Sequence, residues 1–275
     1  MKVTIIIPAY NVAEYLATSI NSVKEQTHTD WECIIVDDCS TDKTVETARY
    51  YTEDDPRFSI VKNERNVGIG GSRNHGIRLA KGDAVTFLDA DDWLDTDALE
   101  YLVDLAGKCP EAARIYTPYI SHWEDGRTGL NFVVPYGYHP ADSMDPFTGF
   151  LCDIGHATGC LYILKNMPCP FEFPIVSKFE DMLFNMELIF AGGGTFIAER
   201  STYHYYRHYD SVLYEPMSVE QAINIVAAFR TSVARYPVNN ERATHCSMFL
   251  MDALKGCLGE KKFVELEYET QWKSV

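Results

Sequence analysis

Two acidic clusters, Asp37, Asp38 and Asp42 and then Asp89, Asp91 and Asp92, stand where ligands could be held, and a further acidic pair, Glu180-Asp181, lies later in the chain. Carboxylates held close together repel, and a divalent cation relieves that repulsion. Oxygen ligands suit Mg²⁺ or Mn²⁺, which such sites hold with one or two carboxylates plus the phosphates of a substrate. Taken singly, Asp37, Asp42 or Asp92 reads as a helix cap or a turn former. Asp38, Asp89 and Asp91 together read as a site, because turn chemistry does not require carboxylates grouped on one edge. A glycine segment, Asn66-Val-Gly68-Ile-Gly70-Gly71-Ser-Arg73-Asn-His-Gly76, invites a dinucleotide reading but puts Arg73 at its sixth place and follows the third strand rather than the first. It is equally a tight strand-to-helix turn or a loop approaching a diphosphate, with Arg73 supplying charge.

These residues need elements to hold them. Val3–Ile7, Cys33–Val36, Phe58–Val61 and Ala84–Leu88 are apolar on both faces, as strands buried in a parallel sheet are. Helical patterns lie between them. Asn11 and Glu14 form a capping pair before Leu16, Ile20 and Val23. Further helices are expected over 44–51, over 72–81 up to Gly82, and over 97–106 up to Gly107. Strand–helix repetition at this spacing predicts an α/β fold with a mostly parallel sheet and helices on both faces. Its ligands would bind beyond the carboxyl ends of the strands, where Pro8–Asn11, Asp37–Asp42 and Asp89–Asp92 stand.

Residues 110–175 are rich in Pro, Gly, Tyr and His and read as loops and short strands. Ser177 and Glu180 then form a capping box for a helix with Phe179, Met182, Leu183, Met186 and Phe190 on its buried face. On that stripe Asp181 projects from the opposite side, in the first turn, where the helix dipole favours a carboxylate; a solvated acid is the commoner fate of such a residue. After Gly192–Gly194 come a short strand near 195–198 and a Tyr-rich segment, 203–214. From Ser218 the chain is helical again, with stripes Ala222/Val226/Phe229/Val233 and Cys246/Phe249/Ala253/Cys257. The expected division is 1–215, with halves 1–108 and 109–215, followed by a helical extension over 216–275.

Composition narrows the classes. In 275 residues, 46% hydrophobic and 23% charged, a globular domain has ample core. The net charge of −16 argues against nucleic acid as a partner. No apolar run reaches the length of a membrane span, and the first residues are too short a run for a signal peptide, so a cytoplasmic protein is expected. The eight cysteines include no Cys-x-x-Cys and are expected as reduced thiols.

Ile-Ile-Pro-Ala-Tyr-Asn, Val-Asp-Asp-Cys-Ser-Thr-Asp, Asn-Val-Gly…Arg-Asn-His-Gly, Phe-Leu-Asp-Ala-Asp-Asp-Trp and Phe-Glu-Asp-Met-Leu-Phe occur in the order seen in bacterial family 2 glycosyltransferases, which the chain resembles over about residues 1–215. The resemblance implies a GT-A fold and inverting transfer from a nucleotide-diphosphate sugar, most simply a UDP-sugar, to a glycan or lipid-linked acceptor in surface polysaccharide synthesis. It implies that Pro8, Ala9, Tyr10, Asn11 and Asp38 hold the nucleotide, with Asn66, Arg73, Asp89, Ala90 and Arg207 also on the donor. Asp91, Asp89 and His208 would hold Mn²⁺ or Mg²⁺, and Asp181 would be the base. Tyr206-Arg207-His208…Ser211 is similar to a C-terminal motif of the family with tighter spacing, and Cys39 stands where Gly is usual. A sugar nucleotidyltransferase is the weaker alternative, because Pro8-Ala9-Tyr10-Asn11 occupies the place of its glycine- and lysine-bearing loop. A non-catalytic sugar-nucleotide or glycan-binding module is the other.

The aromatic and histidine residues Tyr116, Tyr119, His122, Trp123, Tyr136, Tyr138, His139 and His156 read equally as a sugar-stacking surface or a packed layer. The C-terminal helices read as an intramolecular cap. A homodimer, or peripheral contact with the inner face of a membrane, is compatible with them, though neither helix is notably basic.

Overall fold

The computed structural model describes residues 1–131, 136–141, 157–208, 216–236 and 240–270. Four parallel strands open the fold: β1 (Val3–Ala9), β2 (Trp31–Asp37), β3 (Phe58–Lys62) and β4 (Ala84–Phe87). Four more extend the sheet: β6 (Arg114–Tyr116), β9 (Gly137–His139), β10 (Cys160–Ile163) and β11 (Thr195–Ile197). The order is β3-β2-β1-β4-β10-β6-β11-β9. The chain steps outward from β1 to β3 and then returns to lay β4 on the other side of β1. The order reverses between β1 and β4, and a crevice at their carboxyl ends is the ligand position of such sheets.

The runs of β1, β2 and β4 are buried on both faces, whereas β3, the edge strand, is only half-buried, with Ser59 and Lys62 exposed. Ile6, Ile34, Val36, Val85 and Phe87 enter one core, and their neighbours Ile5, Ile7, Cys33, Ile35 and Ala84 enter another. The second core is closed by α1 (Leu16–Lys24), α2 (Thr44–Thr52) and α4 (Ala98–Lys108). The first is closed by α3 (Gly68–Leu79), which lies on β1 and β2, and by α5 (Glu180–Phe190) with the C-terminal helices α6 (Val219–Arg235), α7 (Asn240–Leu258) and α8 (Glu260–Thr270) behind it. The C-terminal helical region therefore shares this core rather than standing apart: α6 packs on α5, α7 and α8 pack against α6 and each other, and Ile225, Phe229, Leu250 and Leu266 are buried. A second, four-stranded sheet, β5-β12-β7-β8, combines β5 (Trp93–Leu94), β7 (Tyr119–Trp123), β8 (Thr128–Asn131) and β12 (Tyr203–Arg207).

Several local expectations are corrected. Helix α3 (Gly68–Leu79) starts four residues before Ser72, so the glycine segment is its first turns rather than a loop. Gly76 serves close packing, since a Cβ there would sit 2.5 Å from Ile6 Cγ2 of β1, whereas Gly68 takes a left-handed φ of 76°. Helix α4 runs through Gly107 to Lys108. Neither expected capping pair forms. Tyr15 precedes α1 without a side-chain cap, and Phe179 precedes α5 with φ 63°, again without one. The capping box found is Ser218 with Gln221, ahead of α6. Helix α5 is buried almost all round rather than amphipathic, with Phe184, Asn185, Leu188 and Ile189 inside as well as Met182, Leu183 and Met186. On α7 the buried line runs through Cys246, Leu250 and Leu254, leaving Cys257 exposed; the Phe249 side chain lies outside the described residues. Among the described residues every cysteine is a free thiol.

Candidate functional site

The carboxyl ends of β1 and β2 are laced together by side chains acting on backbone. Asn11 takes a left-handed conformation, φ 52°, in which its Oδ1 accepts from Thr41 N at 2.8 Å while its own N–H donates to Ser40 Oγ at 3.0 Å. Pro8 and Ala9 are buried in β1, and Tyr10 is exposed beyond them. Asp38 is buried, and its carboxylate accepts from Asn63 Nδ2 at 2.8 Å, Val67 N at 2.9 Å and Gly68 N at 2.8 Å. It therefore does for α3 what an N-cap would do. The exposed Asn66 donates to the Asp38 carbonyl at 3.3 Å. Asp42 is a turn former, accepting from Thr44 N, Thr44 Oγ1 and Ala13 N, and Asp37 accepts from Ser40 N at 3.0 Å.

The acids after β4 point three ways. Asp89 accepts from Arg73 Nη2 at 3.0 Å, and Asp91 Oδ2 lies 3.0 Å from His208 Nε2. Asp92 turns inward, fully buried, onto the Tyr203 hydroxyl and Tyr206 N. The loop is fixed from below by Ser19 Oγ on the carbonyls of Ala90 (2.8 Å) and Asp92 (2.6 Å). The second sheet explains why His208 arrives here. β5 leaves directly from Asp92 and pairs antiparallel with β12, so the end of β12 runs back past Asp91. Tyr15 stacks on His208 with ring centroids 5.0 Å apart, and Tyr206 lies 5.7 Å from it. Burial raises the Asp91 carboxyl above its usual range, with Asp89 adding to the effect and the His208 bond opposing it. Burial raises Asp92 further, helped by Asp91 and Asp89. Arg207 points elsewhere: its Nε donates to Ser121 Oγ at 3.2 Å, and its guanidinium lies over Trp123 and Tyr205.

Asp181 and Glu180 come to this edge from α5. The left-handed Phe179 turns the chain sharply, and Glu180 then points into the protein, 6% exposed, where its Oε1 accepts from Arg73 Nη1 at 2.7 Å. Asp181 is half-buried, and its Oδ1 accepts from Met182 N at 2.7 Å. Arg73 is thus gripped by Glu180 and Asp89, only 2% exposed itself. Burial opposes its charge, but Asp89, Glu180 and Asp181 more than restore it, so its pKa is raised. Burial also raises the Glu180 carboxyl to about 7, with Asp181 adding and Arg73 opposing. Glu180 was missed from the sequence because its spacing from Ser177 imitates a capping box; its partner is 107 residues away.

The model of the family Glycosyl transferase family 2 matches residues 4–162, more than half of the chain, from within β1 to within β10. The chain belongs to this family. It is 28% identical over 249 residues to the putative glycosyltransferase EpsH of Bacillus subtilis, covering 87% of this chain and 70% of that one. To the putative teichuronic acid biosynthesis glycosyltransferase TuaG of the same organism it is 43% identical over 98 residues, 36% of this chain and 39% of TuaG. Among solved structures, S. aureus TarS 1-349 in complex with UDP-GlcNAc superposes with a TM-score of 0.73 at 18% identity, covering 98% of this chain and 73% of that one. The mannosyltransferase PcManGT from Pyrobaculum calidifontis, in complex with GDP-Man and Mn²⁺, superposes with a TM-score of 0.61 at 16% identity, covering 98% and 79%. Likeness at these identities speaks for the fold, which is GT-A with a C-terminal helical region.

For a family 2 member the donor set around Asp91 fits a divalent cation. It offers one carboxylate and one imidazole, whose Nδ1 is buried without a partner, with Asp89 two residues away. Among the described residues no three His, Cys, Asp or Glu side chains form a ready-made cage. The aromatic stretch divides. Tyr116 and Tyr119 are core. His122 lies 2.9 Å from His204, which lies 2.9 Å from Asp95 and stacks on Trp93. Tyr138 packs against Gly194, Tyr136 is exposed, and His139 ends β9 opposite Thr195. His156 and Ser211 lie outside the described residues. Among the described residues no helix is long and apolar enough to cross a membrane.

Proposed function

We propose that the chain transfers a sugar from a nucleotide-diphosphate sugar, of the UDP class, to a hydroxyl of a glycan or lipid-linked acceptor with inversion, in surface polysaccharide synthesis on the cytoplasmic side of a membrane. The observation that carries this reading is the convergence, at the β1/β4 edge, of the Asp91–His208 pair and the Glu180-Asp181 helix start. The UDP-GlcNAc bound to TarS and the GDP-Man with Mn²⁺ bound to PcManGT support the donor class and the cation. Residues 1–215 would form the transferase unit and 216–275 its helical extension.

In this reading Pro8, Ala9, Tyr10 and Asn11 shape the nucleotide pocket by their backbone. Asp38 sets its floor by fastening the start of α3, and Asn66 lines the rim. Asp91 and His208, with Asp89, would hold Mn²⁺ or Mg²⁺, which when bound neutralises the charge on the departing diphosphate. Asp181 takes the proton from the acceptor hydroxyl as that oxygen attacks the anomeric carbon. One displacement, with no covalent sugar on the protein, inverts the configuration. Arg73, held by two carboxylates, acts on the geometry of the site rather than on the diphosphate directly.

The test is a thermal-shift panel of UDP-, GDP-, CMP- and dTDP-sugars with and without Mn²⁺ or Mg²⁺. A ligand at about 100 times its Kd stabilises by about 2.7 kcal/mol. The UDP-sugars should raise the midpoint with metal, and Asp91→Asn and His208→Ala should remove the metal-dependent part. No shift with any nucleotide sugar would overturn the donor reading.

A further inference from the structure

Two separate attachments join α3 to the chain entering α5. Asn74 clamps the backbone of Phe173, donating from Nδ2 to its carbonyl at 2.9 Å and accepting from its N–H at 2.7 Å. One residue earlier on α3, Arg73 reaches Glu180 at 2.7 Å and Asp89 at 3.0 Å, its guanidinium flanked by Phe87 and Phe173. The first attachment uses none of the polar groups of the second. The second is built with care for geometry. Gly70 has no side chain where a Cβ would meet Pro174 O at 3.0 Å and Glu180 Cγ at 3.3 Å, so Glu180 can reach across. Phe179 accepts a left-handed conformation to start the helix there, a strain of the kind found at functional sites.

We propose that Glu180 is a positioning residue: acting through the buried guanidinium of Arg73, it sets the first turn of α5, and so the base Asp181, in register with the donor edge at Asp89. Glu180 is closed off from the crevice, so it works on its neighbour in sequence by fixing the turn they share. Arg73 is the rigid member between them. Its planar fork gives one nitrogen to each carboxylate, so the α5 start and the β4 loop cannot shift independently. The inference rests on the transferase reading and on Asp181 as its base.

The experiment compares wild type, Glu180→Gln and Glu180→Asp. Donor affinity is read by calorimetry with UDP-GlcNAc and Mn²⁺, and turnover by UDP release with water as acceptor. Gln keeps an oxygen that can accept from Arg73 but not the charge, and Asp keeps the charge but falls short by one methylene. Both variants should fold and bind donor within about threefold of wild type. Both should release UDP at least roughly tenfold more slowly, since small misplacements of a reacting group cost up to about a hundredfold, and Gln should retain more turnover than Asp. Turnover within twofold of wild type, or donor affinity and turnover falling together, overturns the proposal; the latter would mean that Glu180 touches the donor. So does failure of Glu180→Gln to fold, because the Asn74 clamp would then not hold the segment alone. If the wild type itself neither binds nor turns over any nucleotide sugar, it is the transferase reading that fails.

Discussion

Replacing Glu180 by Gln should change how stability depends on pH, in a direction fixed by burial. In the unfolded chain this carboxyl titrates near 4.5, and in the folded protein it is raised to about 7 because burial outweighs the Arg73 cation. Between those values the folded state holds the proton more tightly than the unfolded one, so folding is favoured in acid and loses that advantage as pH rises. The contribution is fully present below about 4.5 and is lost once pH passes about 7. At about 1.4 kcal/mol per pKa unit the whole effect is about 3 kcal/mol. Gln cannot ionise and lacks the term. Urea denaturation of both proteins at pH 5, 6, 7 and 8 isolates it, because other titrations largely cancel in the difference. Wild type minus variant should fall by between about 2 and 3 kcal/mol from pH 5 to pH 8 and level off above 7. A flat difference over this range would mean that Arg73 holds Glu180 ionised in the folded protein, at or below its ordinary carboxylate range, and the desolvation argument would be refuted.

Asp181→Asn should abolish transfer, by at least about a hundredfold, while leaving the donor-induced thermal shift intact; an Asn variant with full transferase activity would remove Asp181 as the base. Gly76→Ala should destabilise by about 1–3 kcal/mol in urea, because its methyl would press on Ile6 at 2.5 Å and β1 lies inside a close-packed sheet. A neutral Gly76→Ala would show that α3 can lift off the strand at no cost.

How far the sequence could be read depended on the range of the interaction involved. The parallel half of the sheet was legible because Val3–Ile7 and Ala84–Leu88 are apolar on both faces, a property that each run carries alone. The ligand edge was legible because Asp38, Asp89 and Asp91 stand just past the ends of such runs, while the strand order that sets them side by side is not a local property. The pairing of Asp91 with His208 matched a motif resemblance, yet it depends on β12 returning antiparallel beside β5, which no local pattern announces. What failed were the capping pairs. Asn11 and Glu180 each had a short-range role available by spacing, and each serves a distant partner instead, Thr41 in one case and Arg73 in the other. Asp92 reads by spacing as a helix cap or turn former, yet it is buried and bonded to Tyr203, 111 residues on. The exposed, uncharged Asn11 follows its left-handed backbone, whereas Glu180 and Asp92, acids with both a local and a remote partner within reach, take the remote one because burial makes the charge costly to leave unpaired. Such residues ring the Asp89–Asp91 edge. The buried layer beneath a cleft is therefore the part of a site that spacing conceals, and here it holds Glu180, Arg73 and Asp92.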